Sequence, residues 1–123
     1  MTEEMFWDIM EKEMEKGRAP KVAMGKIDTT QDPAVQTYGD YFGGHSLLPA
    51  DYESITVKNL LDMSKLLFAK KVTYRAKTTI LMILAHRGIK EVLAELRKYA
   101  SNPDPGLEAF AQLAAEECEF WID

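Results

Sequence analysis

Two histidines, one cysteine and a knot of aromatic and acidic side chains are the residues whose types could do chemistry in this chain. His45 follows Tyr38-Gly39-Asp40-Tyr41-Phe42-Gly43-Gly44, where glycines let a backbone approach a ligand closely. The aromatics could wall a small pocket with His45, Asp40 and Asp51 as polar contacts. Tyr38, Asp40, Tyr41, His45 and Asp51 are therefore the candidate ligand pocket. The same letters also describe a helix end followed by a turn. His86 precedes Arg87-Gly88 in the last turn of an expected helix, where a cation suits the negative end, so a capping role is expected for it. Ile83 stands three residues before it, so the Glu-x-x-His pair of di-iron bundles is absent. Cys118 falls on an apolar helix face and reads as a buried, inert thiol. With no phosphate loop, triad spacing or zinc pattern, the chain is expected to be non-enzymatic, with no cofactor and no metal.

Charge carries more than these motifs. Residues 58–98 hold ten basic and three acidic residues, a net of +7; residues 1–57 hold five basic and eleven acidic, a net of −6. Residues 99–123 add six acidic residues and no basic one, which returns the overall −5. That balance disfavours nucleic acid as the main partner but leaves a basic middle between two acidic ends. In an antiparallel helix stack, Lys70, Lys71, Arg75, Lys77, Arg97 and Lys98 are expected to converge at one edge, offset by Asp104 and Glu108 alone. Arg87 and Lys90 are expected to meet the acidic Glu116, Glu117, Glu119 and Asp123 at the other.

The elements that must hold these groups are helices, and the expected fold class is all-α in a single domain. Met5, Phe6, Ile9, Met10 and Met14 make an apolar stripe on a first helix over Glu3–Lys16, with Glu3 and Glu4 at its positive end. Residues 18–55 form an irregular insert, with a short helix expected over Pro33–Phe42 after the Asp32-Pro33 start signal. From residue 56 onward four helices are expected: Val57–Lys71, Thr73–Arg87, Ile89–Ser101, and one opened by Asp104-Pro105 that ends near Trp121. The run from Thr78 to Ala85 is apolar nearly all round, which predicts a central, buried helix. Val57, Leu60, Leu61, Ser64, Leu67 and Phe68 are expected to be buried on the helix before it.

The stretch Tyr74-Arg75-Ala76-Lys77 through Leu81, Leu84-Ala85, Gly88-Ile89, Val92-Leu93 and Leu96, then Asn102-Pro103-Asp104-Pro105, Ala109 and Leu113-Ala114, resembles HEAT-type repeats. It covers about two helix pairs from Val57 onward, and Glu108 departs from the basic residue that often follows the Asp-Pro turn. The resemblance implies stacked antiparallel hairpins with the N-terminal half as cap or core partner. The leading functional expectation is a protein–protein interaction or scaffold module, self-associating as a homodimer. A nucleic-acid or anionic ligand on the basic rim, and a small ligand at Tyr38–Asp51, are the alternatives. The acidic N-terminus and the short apolar runs predict a cytoplasmic chain with no membrane partner.

Overall fold

Thr56 and Thr73 start two helices in the same way. Each sits at φ −67°, ψ 153° and accepts a hydrogen bond from the backbone N–H three residues on, Asn59 and Ala76, at 3.2 Å. A threonine hydroxyl there satisfies one of the orphan donors of the first turn. The computed structural model describes residues 1–16 and 52–122, and over these the chain is all-helical without strands. The helices are α1 (Glu3–Lys16), α2 (Val57–Ser64), α3 (Tyr74–Ala85), α4 (Lys90–Ser101) and α5 (Glu108–Trp121), with 3₁₀ turns at Tyr52–Ser54 and Lys65–Phe68. The expected helix over Pro33–Phe42 and the pocket residues Tyr38, Asp40, Tyr41, His45 and Asp51 lie outside the described residues.

One expected helix is shorter than its pattern. The α-helical part of the Val57–Lys71 segment stops at Ser64, whose hydroxyl donates to the Leu61 carbonyl at 2.6 Å, and a 3₁₀ turn follows. Tighter winding advances each side chain by about 120° instead of about 100°. Leu66 and Leu67 are thereby buried, while Phe68, expected in the core, is 43% exposed. Val57 is likewise 42% exposed, while Ile55, just before the cap, is buried.

Contacts at helix ends fix how the helices run. Lys77 near the start of α3 meets Asp104 just before α5, and His86 at the end of α3 meets Glu117 near the end of α5, so α3 and α5 are parallel. Gly88 just before α4 lies against Trp121 at the end of α5, and Ala100 and Ser101 at the end of α4 line a groove with Gln112 and Ala115 earlier in α5, so α4 runs antiparallel to α5. Phe68 beyond α2 packs edge-on against Tyr99 near the end of α4, at 5.8 Å between ring centres, so α2 and α4 are parallel. In the resulting arrangement α2 packs on α4 and α3 on α5, and α2, α3 and α4 each pack on the next helix in the chain.

The α3 helix is the centre of this arrangement, as its all-round apolar sequence predicts. Ala76 and every residue from Ile80 to Ala85 are buried, and they join Leu60, Met63, Leu96, Phe110, Ala111 and Ala114 in one core. Two turns are set by glycine. Gly106 adopts φ 89° in the turn before α5, a conformation that side chains rarely accept. Gly88, between α3 and α4, lies so close to the end of α5 that a Cβ would sit 2.4 Å from the Trp121 carbonyl oxygen. Phe6 and Met10 of α1 are buried in the same core, so α1 is part of the fold.

Candidate functional site

The basic residues do not form one uninterrupted rim. Lys77, expected on it, is only 4% exposed, and its ammonium bonds the Asp104 carboxylate at 2.6 Å. The same carboxylate oxygen accepts the Tyr99 hydroxyl at 2.5 Å, and the Asp104 N–H donates back to that hydroxyl at 3.2 Å. A lysine near a helix start looks like a surface residue in the sequence. It is buried here because the Asn102–Pro105 turn, 27 residues further on, delivers a carboxylate over it. Burial raises the Asp104 carboxyl, but the bonds from Lys77 and Tyr99 outweigh it and hold the group below its ordinary value. The Tyr99 hydroxyl is pushed well up, by burial first and then by the Asp104 carboxylate. Lys77 is a fastening of the turn.

Arg97 is elsewhere too. It lies on the outer groove between α4 and α5, 3.2 Å from Glu119, with both side chains largely exposed. That open groove, about 540 Å³, is lined by Lys90, Leu93, Ala94, Arg97, Glu119 and Ile122. Its mixed charges give it no preference for an anion.

Lys70, Lys71, Arg75 and Lys98 remain together at the edge formed by the end of the α2 segment, the start of α3 and the end of α4. All four are exposed, and aromatic rings stand among them. The Lys98 ammonium lies 5.3 Å over the Phe68 ring, and the Arg75 guanidinium 5.2 Å over the Trp7 ring. Tyr74, also on this edge, is half exposed. The edge is both cationic and aromatic.

The N-terminal helix already uses this edge. Glu3 of α1 accepts the Thr73 N–H on one carboxylate oxygen and the Thr73 hydroxyl on the other, both at 2.7 Å. It thereby caps the start of α3 from 70 residues away. Trp7 donates its indole N–H to Glu3 at 3.0 Å and packs edge-on against Phe6 at 4.9 Å. Hydrogen bonds from the Thr73 backbone, then Trp7, then the Thr73 hydroxyl hold the Glu3 carboxyl below its ordinary value. An acidic, aromatic helix end is thus seated on a basic, aromatic edge.

The opposite edge is organised around His86, which caps the end of α3. Its Nδ1 faces the Met82 carbonyl at 2.8 Å and its Nε2 faces Glu117 at 2.9 Å. Both partners are acceptors, so the ring meets both fully when each nitrogen carries a proton. The Tyr52 ring stands edge-on to the imidazole at 5.9 Å. Arg87, expected against the acidic end of α5, instead donates to the Tyr52 and Ile55 carbonyls at 3.1 and 2.6 Å. One guanidinium nitrogen thereby ties together two carbonyls of the turn before α2, that of Tyr52 also accepting the Ile55 N–H. Cys118 is buried, its thiol aimed at the Arg87 carbonyl at 3.6 Å, and burial raises it.

Among the described residues no group of three or more His, Cys, Asp or Glu could hold a metal ion, and no helix is long and apolar enough to cross a membrane. Every buried side-chain nitrogen or oxygen among them has a hydrogen-bond partner, so none is left aimed into a pocket for a ligand. Comparison with protein-family models, with curated proteins and with solved structures finds no match to this chain.

Proposed function

We propose that this chain is a non-catalytic protein–protein interaction module, with the edge around Phe68, Lys70, Lys71, Tyr74, Arg75 and Lys98 as its recognition surface. The observation that carries the reading is the seating of α1. Glu3 on Thr73 and Trp7 under Arg75 are contacts that an acidic segment with an aromatic residue would make from another protein. Exposed phenyl and phenol rings between ammonium groups suit such a segment, since the rings supply area and the cations orientation. The parallel pairs α2 with α4 and α3 with α5 support a stack of two HEAT-like hairpins as the scaffold.

The test is binding of a fluorescein-labelled peptide with the sequence of residues 1–12 to the chain carrying Glu3→Ala and Trp7→Ala, which clears the native contacts on Thr73 and Arg75, alongside labelled single-stranded RNA and DNA. Anisotropy should show peptide binding that weakens with added salt and is lost in the double variant Lys70→Glu/Lys71→Glu. Preference for the nucleic acids would replace this reading with the anionic-polymer alternative, which the interleaved cations and rings also suit. Absence of binding to any of the three would remove it.

A further inference from the structure

The acidic, aromatic helix end that α1 presents to the basic edge occurs twice in this chain. Glu3-Glu4-Met5-Phe6-Trp7 has the spacing Glu-x-x-Phe-Trp, and Glu117-Cys118-Glu119-Phe120-Trp121 repeats it at the end of α5. The two copies also share a local geometry. In each the indole N–H donates to the glutamate four residues back, Trp7 to Glu3 at 3.0 Å and Trp121 to Glu117 at 3.4 Å. In each the phenyl and indole rings stand edge to face, at 4.9 Å and 64° in the first and 5.2 Å and 83° in the second. Their surroundings differ. Phe6 is fully buried, whereas Phe120 is 77% exposed and Trp121 52%. One copy is docked and the other is displayed.

We infer that the displayed copy docks onto the basic edge of a second molecule of this chain, so that the protein self-associates head to tail. This rests on the interaction reading above and names the partner as the chain itself. Charge complementarity supports the assignment: Glu116, which accepts from Gln112, and Glu119, which pairs with Arg97 but is largely exposed, flank the displayed rings, while Lys70, Lys71 and Lys98 surround Phe68 and Tyr74 at the far end of the helices. Lys70 and Lys71 precede the start of α3 and Trp121 lies against Gly88 beyond its end, about 18 Å away along twelve residues, so the displayed rings do not reach those lysines of their own molecule. Because each surface meets the other and not itself, the contact is heterologous and propagates or closes into a ring. Its size makes it weak. A fully buried aromatic covers about 150–250 Å², so four partly exposed rings leave roughly 400 Å² to remove from water, well short of a standard interface.

The experiment is sedimentation velocity on the full chain over a wide concentration range, at low and high salt. The wild type should show concentration-dependent growth in mass that added salt suppresses. Phe120→Ala, which disables the displayed rings, and Lys70→Glu/Lys71→Glu, which disables the edge, should each lower association at least about tenfold. All the altered side chains are exposed, and a circular dichroism melt verifies that the variants fold. Mixed together, the two variants retain one intact donor and one intact acceptor, so they should form a 1:1 complex that grows no further. Wild type that stays monomeric at every concentration, variants that associate unchanged, or a mixture that forms no complex would each overturn the inference. Retention of the peptide binding described above by Phe120→Ala separates failure of this inference from failure of the interaction reading.

Discussion

Asp104 is the place where a single substitution tests the packing logic of the fold. The Lys77 ammonium has about 5% of its side-chain surface open to water, while Asp104 keeps 38%. Removing the carboxylate with Asp104→Ala leaves a buried charge and the Tyr99 hydroxyl without their acceptor. Breaking a buried pair this way costs about 3–5 kcal/mol, and the partial exposure of Asp104 moves the expectation to about 2–4 kcal/mol. Removing the other partner is different in kind. Lys77→Met keeps the volume, takes the charge out of the interior and leaves Asp104 partly hydrated and still bonded to Tyr99, at about 1–2 kcal/mol. Chemical denaturation of the two variants and the double variant should show Asp104→Ala as the costliest single change, with Lys77→Met partly rescuing it. At roughly 3–5 °C per kcal/mol for a chain of this size, Asp104→Ala should lower Tm by about 10 °C. The pair also sets an acid limit. Asp104 is held below its ordinary 3.8, so its stabilisation is fully present above that pH and is lost as pH falls through the lower folded value. The reasoning is refuted if Lys77→Met costs as much as Asp104→Ala, or if Asp104→Ala costs under about 1 kcal/mol.

Three further outcomes follow from geometry already described. Gly88→Ala should destabilise by about 2 kcal/mol or more in a thermal melt, because the new Cβ meets the Trp121 backbone at 2.4 and 2.5 Å, and backbone cannot step aside as a side chain can. Thr73→Ala should cost more than Thr56→Ala in urea unfolding, the latter about 1 kcal/mol, since both lose the same cap but only Thr73 also holds Glu3. Acidification should undo the Glu3 cap on Thr73 while Phe6 and Met10 stay in the core: the Glu3 carboxyl lies below its ordinary 4.5, so its contact is intact above that pH and is lost as pH falls through the folded value. Trp7 emission in a Trp121→Phe background reports it, and a spectrum unchanged down to the onset of global unfolding counts against the docking.

The helices were legible because their signals are local. The start of a helix at Thr73, the apolar run through Ala85 and the start of α1 at Glu3 each depend on a few neighbouring residues. That Asp104 offsets the edge holding Lys77 was legible, but the burial of Lys77 and the pairing of Arg97 with Glu119 were not, because both depend on packing between segments more than twenty residues apart. The rim of six cations read from sequence thus becomes four, and aromatic rings take the remaining places. Phe68 shows the same limit from the other side: one turn of tighter winding moves an apolar residue from the core to the surface without altering the pattern that predicts burial.

The recurrence of Glu-x-x-Phe-Trp was in the sequence all along, yet its letters carry no argument until the two copies are seen in different surroundings. Phe6 shows what the motif does when it finds a core and a basic edge: the phenyl goes in, the indole lies under a guanidinium, and the carboxylate caps a helix. Phe120 has the same glutamate three residues before it and tryptophan after it, and none of that cover. Exposing a phenyl ring this fully forgoes about 1.5–3 kcal/mol of burial. A basic edge that already binds one copy, and still displays Phe68 and Tyr74 beside its lysines, is the complementary surface for the other.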